Sequence, residues 1–195
     1  MSGKLGGLRG RVRPKLSIVE TAIRTALIVA VPEVEAAVGP HRASLDRAAS
    51  WGVPAHVTVL YPFLPPSRID DGVLATLADG FAAAAPFDVQ FGQVEWFGDS
   101  VVWLAPRPDR PFRELTAGVV RRFPETPPYE GAFGDDVVPH LTIGHDAPRD
   151  VLARAGDAVA QLLPIRATVR GVRLIAGSAT PDSWRILHEF RLAPA

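Results

Sequence analysis

One four-residue phrase constrains the fold of this chain more than any other feature, because it occurs twice. It reads His56-Val57-Thr58-Val59 and again His140-Leu141-Thr142-Ile143. Side chains alternate faces along a β-strand, so His56 and Thr58 share one face while Val57 and Val59 take the other. The same parity sets His140 and Thr142 against Leu141 and Ile143. Each copy therefore predicts a strand that buries aliphatic residues on one side and presents an imidazole and a hydroxyl on the other. A fold that brings both strands to one cleft gathers two proton-transfer groups and two hydroxyl donors.

The intervening chain reads as further strands and helices. Residues 21–31 (TAIRTALIVAV) are expected to be a buried strand, stopped by Pro32. Helix formers fill residues 33–50, with Gly39-Pro40 expected to split them. The first motif strand spans residues 55–61. Ser67 is the expected N-cap of a helix running to Ala85, on which Val73, Leu74, Leu77 and Phe81 recur at helical spacing. Residues 87–97 and 101–104 form a hairpin around Gly98-Asp99. A helix is expected over 111–123, a turn-rich loop over 124–137, the second motif strand over 137–143 and a helix over 148–163. Residues 165–176 and 184–192 close the chain as a strand pair. Motif strand, helix, strand pair thus appears twice, which points to an α+β architecture.

Composition narrows the classes that remain. A chain of 195 residues, 47% apolar and 22% charged, suits one domain or two small lobes sharing a core. No run of about 18 apolar residues is present, so no membrane-spanning helix is expected. The N-terminus lacks the apolar run of a secretory signal, and a cytoplasmic protein is expected. With no cysteine, disulfides, thiolate nucleophiles and Cys-ligated zinc are excluded. The zero net charge conceals Lys4, Arg9, Arg11, Arg13 and Lys15 against Glu20 alone in residues 1–20. Residues 21–195 therefore carry 16 basic and 20 acidic groups (21 − 5 and 21 − 1), with no global footprint for duplex nucleic acid. Residues 1–20 are expected to be a flexible basic tail, with RNA contact as the alternative, and residues 21–195 the folded domain.

The stretches VPAHVTVLYPFLPP and VVPHLTIG resemble the two-histidine phosphoesterase superfamily, and within it the bacterial 2′-5′ RNA ligase and cyclic phosphodiesterase branch. The likeness runs from about Thr21 to Leu192. It implies two pseudo-symmetric lobes of mostly antiparallel sheet with outer helices, each giving one motif strand to a central cleft. It also implies that His56 and His140 are the catalytic pair and that Thr58 and Thr142 hold the phosphate. The partner implied is a nucleotide or RNA-end phosphodiester.

These residue types suit that chemistry. Opening a 2′,3′-cyclic phosphate needs a base for the attacking water or hydroxyl and an acid for the departing ribose oxygen. Imidazole, with an ordinary pKa of about 6.5, serves as either near neutral pH. Threonine hydroxyls can donate to the non-bridging oxygens. Run backwards with a 5′-hydroxyl as nucleophile, the same site joins RNA ends, so direction and the acid and base roles stay open. No metal or cofactor is required, and a monomer is expected.

Tyr61 and Tyr129 are candidates to stack on a base, and Phe63 is read as core. Arg185, beside Trp184, is the expected cation near the phosphate. His145 falls on the opposite face from His140 by parity unless Gly144 forms a bulge, and is read as a loop or supporting residue. His41 and His188 are read as structural. One alternative is a non-catalytic nucleotide- or RNA-binding module with the same cleft. Another is a metal hydrolase built on His56, His140 and His145 with Asp146, which the motif spacing does not favour.

Overall fold

The computed structural model describes residues 23–193 except 133, 135 and 136. The basic tail expected over residues 1–20 lies outside the described residues. Two four-stranded sheets, antiparallel at every pairing, make up the framework. Strands β1 (Arg24–Ala30), β2 (His56–Leu60), β7 (Gly171–Gly177) and β8 (Arg185–Arg191) form the first, in the order β2-β1-β7-β8. Strands β3 (Phe87–Phe97), β4 (Val101–Arg107), β5 (Leu141–His145) and β6 (Ile165–Val169) form the second, in the order β5-β4-β3-β6. Each motif strand is thus the edge of its own sheet, and the two edges lie against one another.

The helices are α1 (Glu35–Leu45), α2 (Arg47–Ser50), α3 (Asp71–Ala82), α4 (Arg110–Arg122) and α5 (Arg149–Ala160). They pack outside, partly on the lobe that did not produce them. Helix α1 follows β1 of the first sheet yet packs on β5, beside α5. Helix α4 follows β4 of the second sheet yet packs on β2. Side chains of both lobes meet in one core, in which Leu27, Val57 and Leu77 belong with Leu104, Ile143 and Leu152. The α+β architecture expected from the element order, with the two lobes that the resemblance implies, is the one observed.

Several local expectations are corrected. Gly39-Pro40 does not break the first helical stretch, because Pro40 lies inside α1. Proline deprives the Ala36 carbonyl of its helical donor, but Ala36 and Pro40 are both exposed and water can serve instead. The chain breaks at Asp46, whose carboxylate accepts the Ala48 N–H at 2.9 Å and caps α2. Asp70, not Ser67, caps α3, accepting the Val73 N–H at 2.8 Å. Ser67 sits in a 3-10 turn, and α3 stops at Ala82.

The single strand expected over 165–176 is two strands in two sheets. The chain leaves β6 and enters β7 across Arg170. At that crossing a Cβ on Gly171 would meet the Phe190 carbonyl oxygen at 2.6 Å, so only glycine fits. The ladder of the second motif strand begins at Leu141 rather than Val137 and continues to His145. Among the described residues no helix is long and apolar enough to cross a membrane.

Candidate active site

Strand register explains how the motifs deliver their side chains. Strand β2 pairs Ala30 with His56 and Ile28 with Thr58, then jumps to Leu27 opposite Leu60, leaving Val59 as the extra residue of a β-bulge. Strand β5 does the same against β4. Trp103 faces Thr142 and Val102 faces Gly144, leaving Ile143 extra. In both strands the bulge falls one residue past the threonine. Val59 and Leu60 both face inward and are buried, as are Ile143 and Gly144, so the next residue returns to the cleft face. Just past the end of β2 that residue is Tyr61. In β5 it is His145.

Strict alternation puts His145 on the far face; the bulge makes it a cleft residue. Glycine at 144 also admits α1, since a Cβ there would lie 2.8 Å from the Leu45 Cβ.

The two motif histidines are clamped alike. His56 Nδ1 lies 2.8 Å from the Pro54 carbonyl oxygen, and His140 Nδ1 lies 2.8 Å from the Val138 carbonyl oxygen. A carbonyl only accepts, so Nδ1 carries the proton in both rings and Nε2 is left to exchange one. Burial, and then the positive charge of Arg42, pull the His56 pKa down to about 4 against the pull of the Pro54 hydrogen bond. Burial likewise lowers His140, opposed by its bond to the Val138 carbonyl. The His140 ring stands edge-on to Phe97 at 5.0 Å, and Phe97 stacks on Trp103 at 4.6 Å.

The cleft has two halves. A cavity of about 410 Å³ is lined by His56, Thr58 and Tyr61 with the apolar Ile28, Trp51 and Trp184. A second, of about 600 Å³, is lined by His140 and Thr142 with Phe97, Val101, Val137 and Val138. Tyr129 and His145 border both. Tyr129 lies in a turn where it and Glu130 have φ of 51° and 57°, left-handed values that cost non-glycine residues on the order of 1–3 kcal/mol. Its N–H donates to the Tyr61 carbonyl at 2.6 Å. Its hydroxyl hydrogen-bonds Thr58, while burial raises its pKa. Tyr61 accepts a hydrogen bond from Arg24 at 2.8 Å, and its ring centroid is 6.4 Å from that of Trp184.

Thus His56, His140, Thr58, Thr142, Tyr61 and Tyr129 all line the cleft. Arg185 does not. Its register partner is Ala176, whose own partner is Thr25, so it belongs to the sheet face opposite Ile175 and Ala26. There it is exposed, and its guanidinium folds back to donate to the Trp184 carbonyl at 2.8 Å. Phe63 is core, edge-on to Phe123. His41 and His188 border neither cavity.

Charged groups that the motifs do not announce stand behind this wall. Arg42, buried on α1, donates through Nε to Asp46 Oδ2 at 2.9 Å and through Nη2 to the Val53 carbonyl at 3.2 Å. Asp46 Oδ1 accepts from Ala48 N–H and from His145 Nε2 at 3.2 Å. Burial pushes the Asp46 carboxyl up, but the His145 bond, the Arg42 charge and the Ala48 N–H outweigh it and hold its pKa at about 2. His145 Nδ1 lies 2.9 Å from Asp146 Oδ2, which also takes Arg47 Nη2. Carboxylates on both ring nitrogens require a proton on each, so His145 is an imidazolium; the Asp46 bond raises its pKa against burial.

An Arg and an Asp four apart on a helix read in sequence as an ordinary surface pair, so nothing local marks Arg42 and Asp46. Among the described residues no group of three or more His, Cys, Asp or Glu side chains is placed to hold a metal ion.

Two antiparallel lobes, each carrying a His-x-Thr strand at its edge into one cleft, define the two-histidine phosphoesterase class. Residues 30–180 match the family model of the 2′-5′ RNA ligase superfamily, and the chain belongs to that superfamily. Its fold is similar to that of E. coli LigT complexed with 3′-AMP (17% identity, TM-score 0.58, covering 88% of this chain and 98% of that one). It is also similar to E. coli LigT in apo form (18%, TM-score 0.59, 89% and 99%). The same holds for TT0787 of Thermus thermophilus (20%, TM-score 0.60, 88% and 99%). No curated protein matches the chain in sequence.

Proposed function

We propose that this protein is a metal-independent phosphodiesterase or RNA ligase-like enzyme that opens, or forms linkages from, 2′,3′-cyclic phosphates or related nucleotide phosphodiesters. The observation that carries this reading is the matched pair of imidazoles, each locked at Nδ1 by a backbone carbonyl and each beside a threonine at the cleft. In-line displacement at phosphorus needs one neutral imidazole and one imidazolium on opposite sides. His56, which burial and Arg42 keep neutral, is the base that takes the proton of the attacking water or hydroxyl. His140 is the acid that protonates the departing ribose oxygen, and the bound phosphodiester anion favours its charged form. Thr58 and Thr142 donate to the non-bridging oxygens where negative charge concentrates. Tyr61 and Tyr129 offer faces to a base.

A screen of 2′,3′-cyclic mononucleotides, ADP-ribose cyclic phosphate, and RNA with 2′-5′ linkages or cyclic ends tests the reading. Turnover of at least one is expected. Binding of these compounds with turnover of none would make the protein a non-catalytic nucleotide-binding module.

The protonation states also set a pH dependence. Activity rises as His56 loses its proton and falls as His140 loses its own. The first passes near pH 4 and the second below the ordinary imidazole value of 6.5. A plot of kcat/KM against pH should therefore be a bell displaced to the acid side, its apparent pKa values belonging to the pair. An optimum above neutrality would contradict these roles. Thr58→Val and Thr142→Val keep shape and delete one donor each. Steady-state kinetics should show kcat losses of roughly 10- to 100-fold, at or below the low end for oxyanion donors, because the second threonine remains.

A further inference from the structure

The segments that lock the two imidazoles are themselves held, and in the same way. Arg42 donates through Nη2 to the Val53 carbonyl at 3.2 Å, three residues before His56. Arg113 donates through Nη1 to the Val137 carbonyl at 3.2 Å, three residues before His140. Each commits its Nε to an aspartate four residues away, Asp46 at 2.9 Å and Asp109 at 2.8 Å. A guanidinium is a rigid planar fork, so fixing it at Nε sets the direction of its outer nitrogens. The next residue in either lobe, Pro54 or Val138, is the one whose carbonyl takes the histidine Nδ1–H. Proline explains one difference between the lobes. Ala55 N–H donates to Glu35 Oε2 at 3.0 Å, whereas Pro139 at the matching position has no N–H to satisfy.

The helices that carry these arginines cross to the other lobe. Helix α1 packs on β5, where Leu45 lies over Gly144. Just past its end, Asp46 accepts from His145 Nε2 at 3.2 Å. Helix α4 packs on β2, where Thr116 Oγ1 donates at 2.8 Å to the carbonyl of Val59, the bulge residue. Each helix thus grips the approach to one motif histidine and the bulged end of the strand bearing the other. Arg42 and Arg113 themselves border neither half of the cleft.

We propose that Arg42 and Arg113 are positioning residues: each fixes the backbone that locks one imidazole, and through its helix ties that imidazole to the strand bearing the other. Neither touches substrate or moves a proton. The consequence for rate rests on the function proposed above, because in-line displacement needs both rings held on opposite sides of one phosphorus. Misplacing a reacting group by about 1 Å can cost on the order of 10²-fold.

Arg113→Met is the first test, since that side chain is 38% exposed and Asp109, its partner, is 31% exposed and within reach of water. In the full chain, kcat for a 2′,3′-cyclic nucleotide should fall roughly 10- to 100-fold. KM should stay nearly unchanged, because the groups that bind substrate are intact. Nitrogen-15 NMR of the imidazoles should show His140 losing its uniform Nδ1–H tautomer while His56 keeps its own. Arg42→Met combined with Asp46→Ala should give the mirror result, with His56 disturbed and His140 not.

A merely structural contact would not sort its effect by lobe. With the fold intact by circular dichroism, an undisturbed His140 tautomer in Arg113→Met overturns the proposal. Equal disturbance of both rings overturns it too, and so does a rise in KM with kcat unchanged. The tautomer is read without turnover, so a lobe-specific response in a protein that turns over no substrate would count against the catalytic reading alone.

Discussion

His56→Ala and His140→Ala are each expected to lower turnover by about 10²–10⁴, the usual span for a general acid or base. The double variant should lose far less than the product of the two, since the first change already breaks a pair that must act together. Each ring offers only Nε2 for proton exchange, because Nδ1 is committed to a carbonyl two residues back. Alanine therefore removes the whole proton-transfer function at that side of phosphorus. Single-turnover kinetics with folding checked by circular dichroism decides the matter. A folded single variant with near-normal turnover would sink the two-histidine mechanism.

Asp46→Ala should produce the largest loss of stability, about 3–5 kcal/mol, as expected when one partner of a buried ion pair is deleted. Against a typical total of about 5–15 kcal/mol that is a substantial fraction. The change leaves the Arg42 guanidinium buried beside His56 without its carboxylate, and Arg42 Nη1 already lacks a hydrogen-bond partner among the described residues. Denaturant unfolding measures the effect.

The sign with pH follows from a folded-state carboxyl held at about 2 against an ordinary 3.8. The contribution is present above the ordinary value and is lost as pH falls from there through about 2. The gap between parent and variant should therefore narrow in acid. Arg42→Met combined with Asp46→Ala should recover part of the loss, because no uncompensated charge then remains buried. A loss under about 1 kcal/mol in Asp46→Ala at neutral pH would show that the pair does not behave as buried.

Local periodicity carried the strands and helices well where one face is buried throughout. It carried α3 through Leu77 and Phe81, and β3 through Val89 and Phe91. It carried the pairing of His with Thr on one face of each motif strand, because alternation within three residues needs no tertiary information. It failed at boundaries decided by partners distant in sequence. The break at Asp46, the proline inside α1 and the crossing at Gly171 depend on which side of an element meets water or another backbone.

Alternation and periodicity along the chain were enough to specify two strands that each present an imidazole and a hydroxyl opposite an aliphatic face, within a body of helices and antiparallel strands. Long-range packing makes these strands sheet edges that lie together, with Tyr129 bordering both halves of the cleft. The same packing sets the bulge after each threonine that returns Tyr61 and His145 to the cleft, and the register that turns Arg185 away. The reason is physical. Alternation along a strand is a local property of the backbone, whereas a bulge, a register and a buried charge pair exist only through the element packed against them.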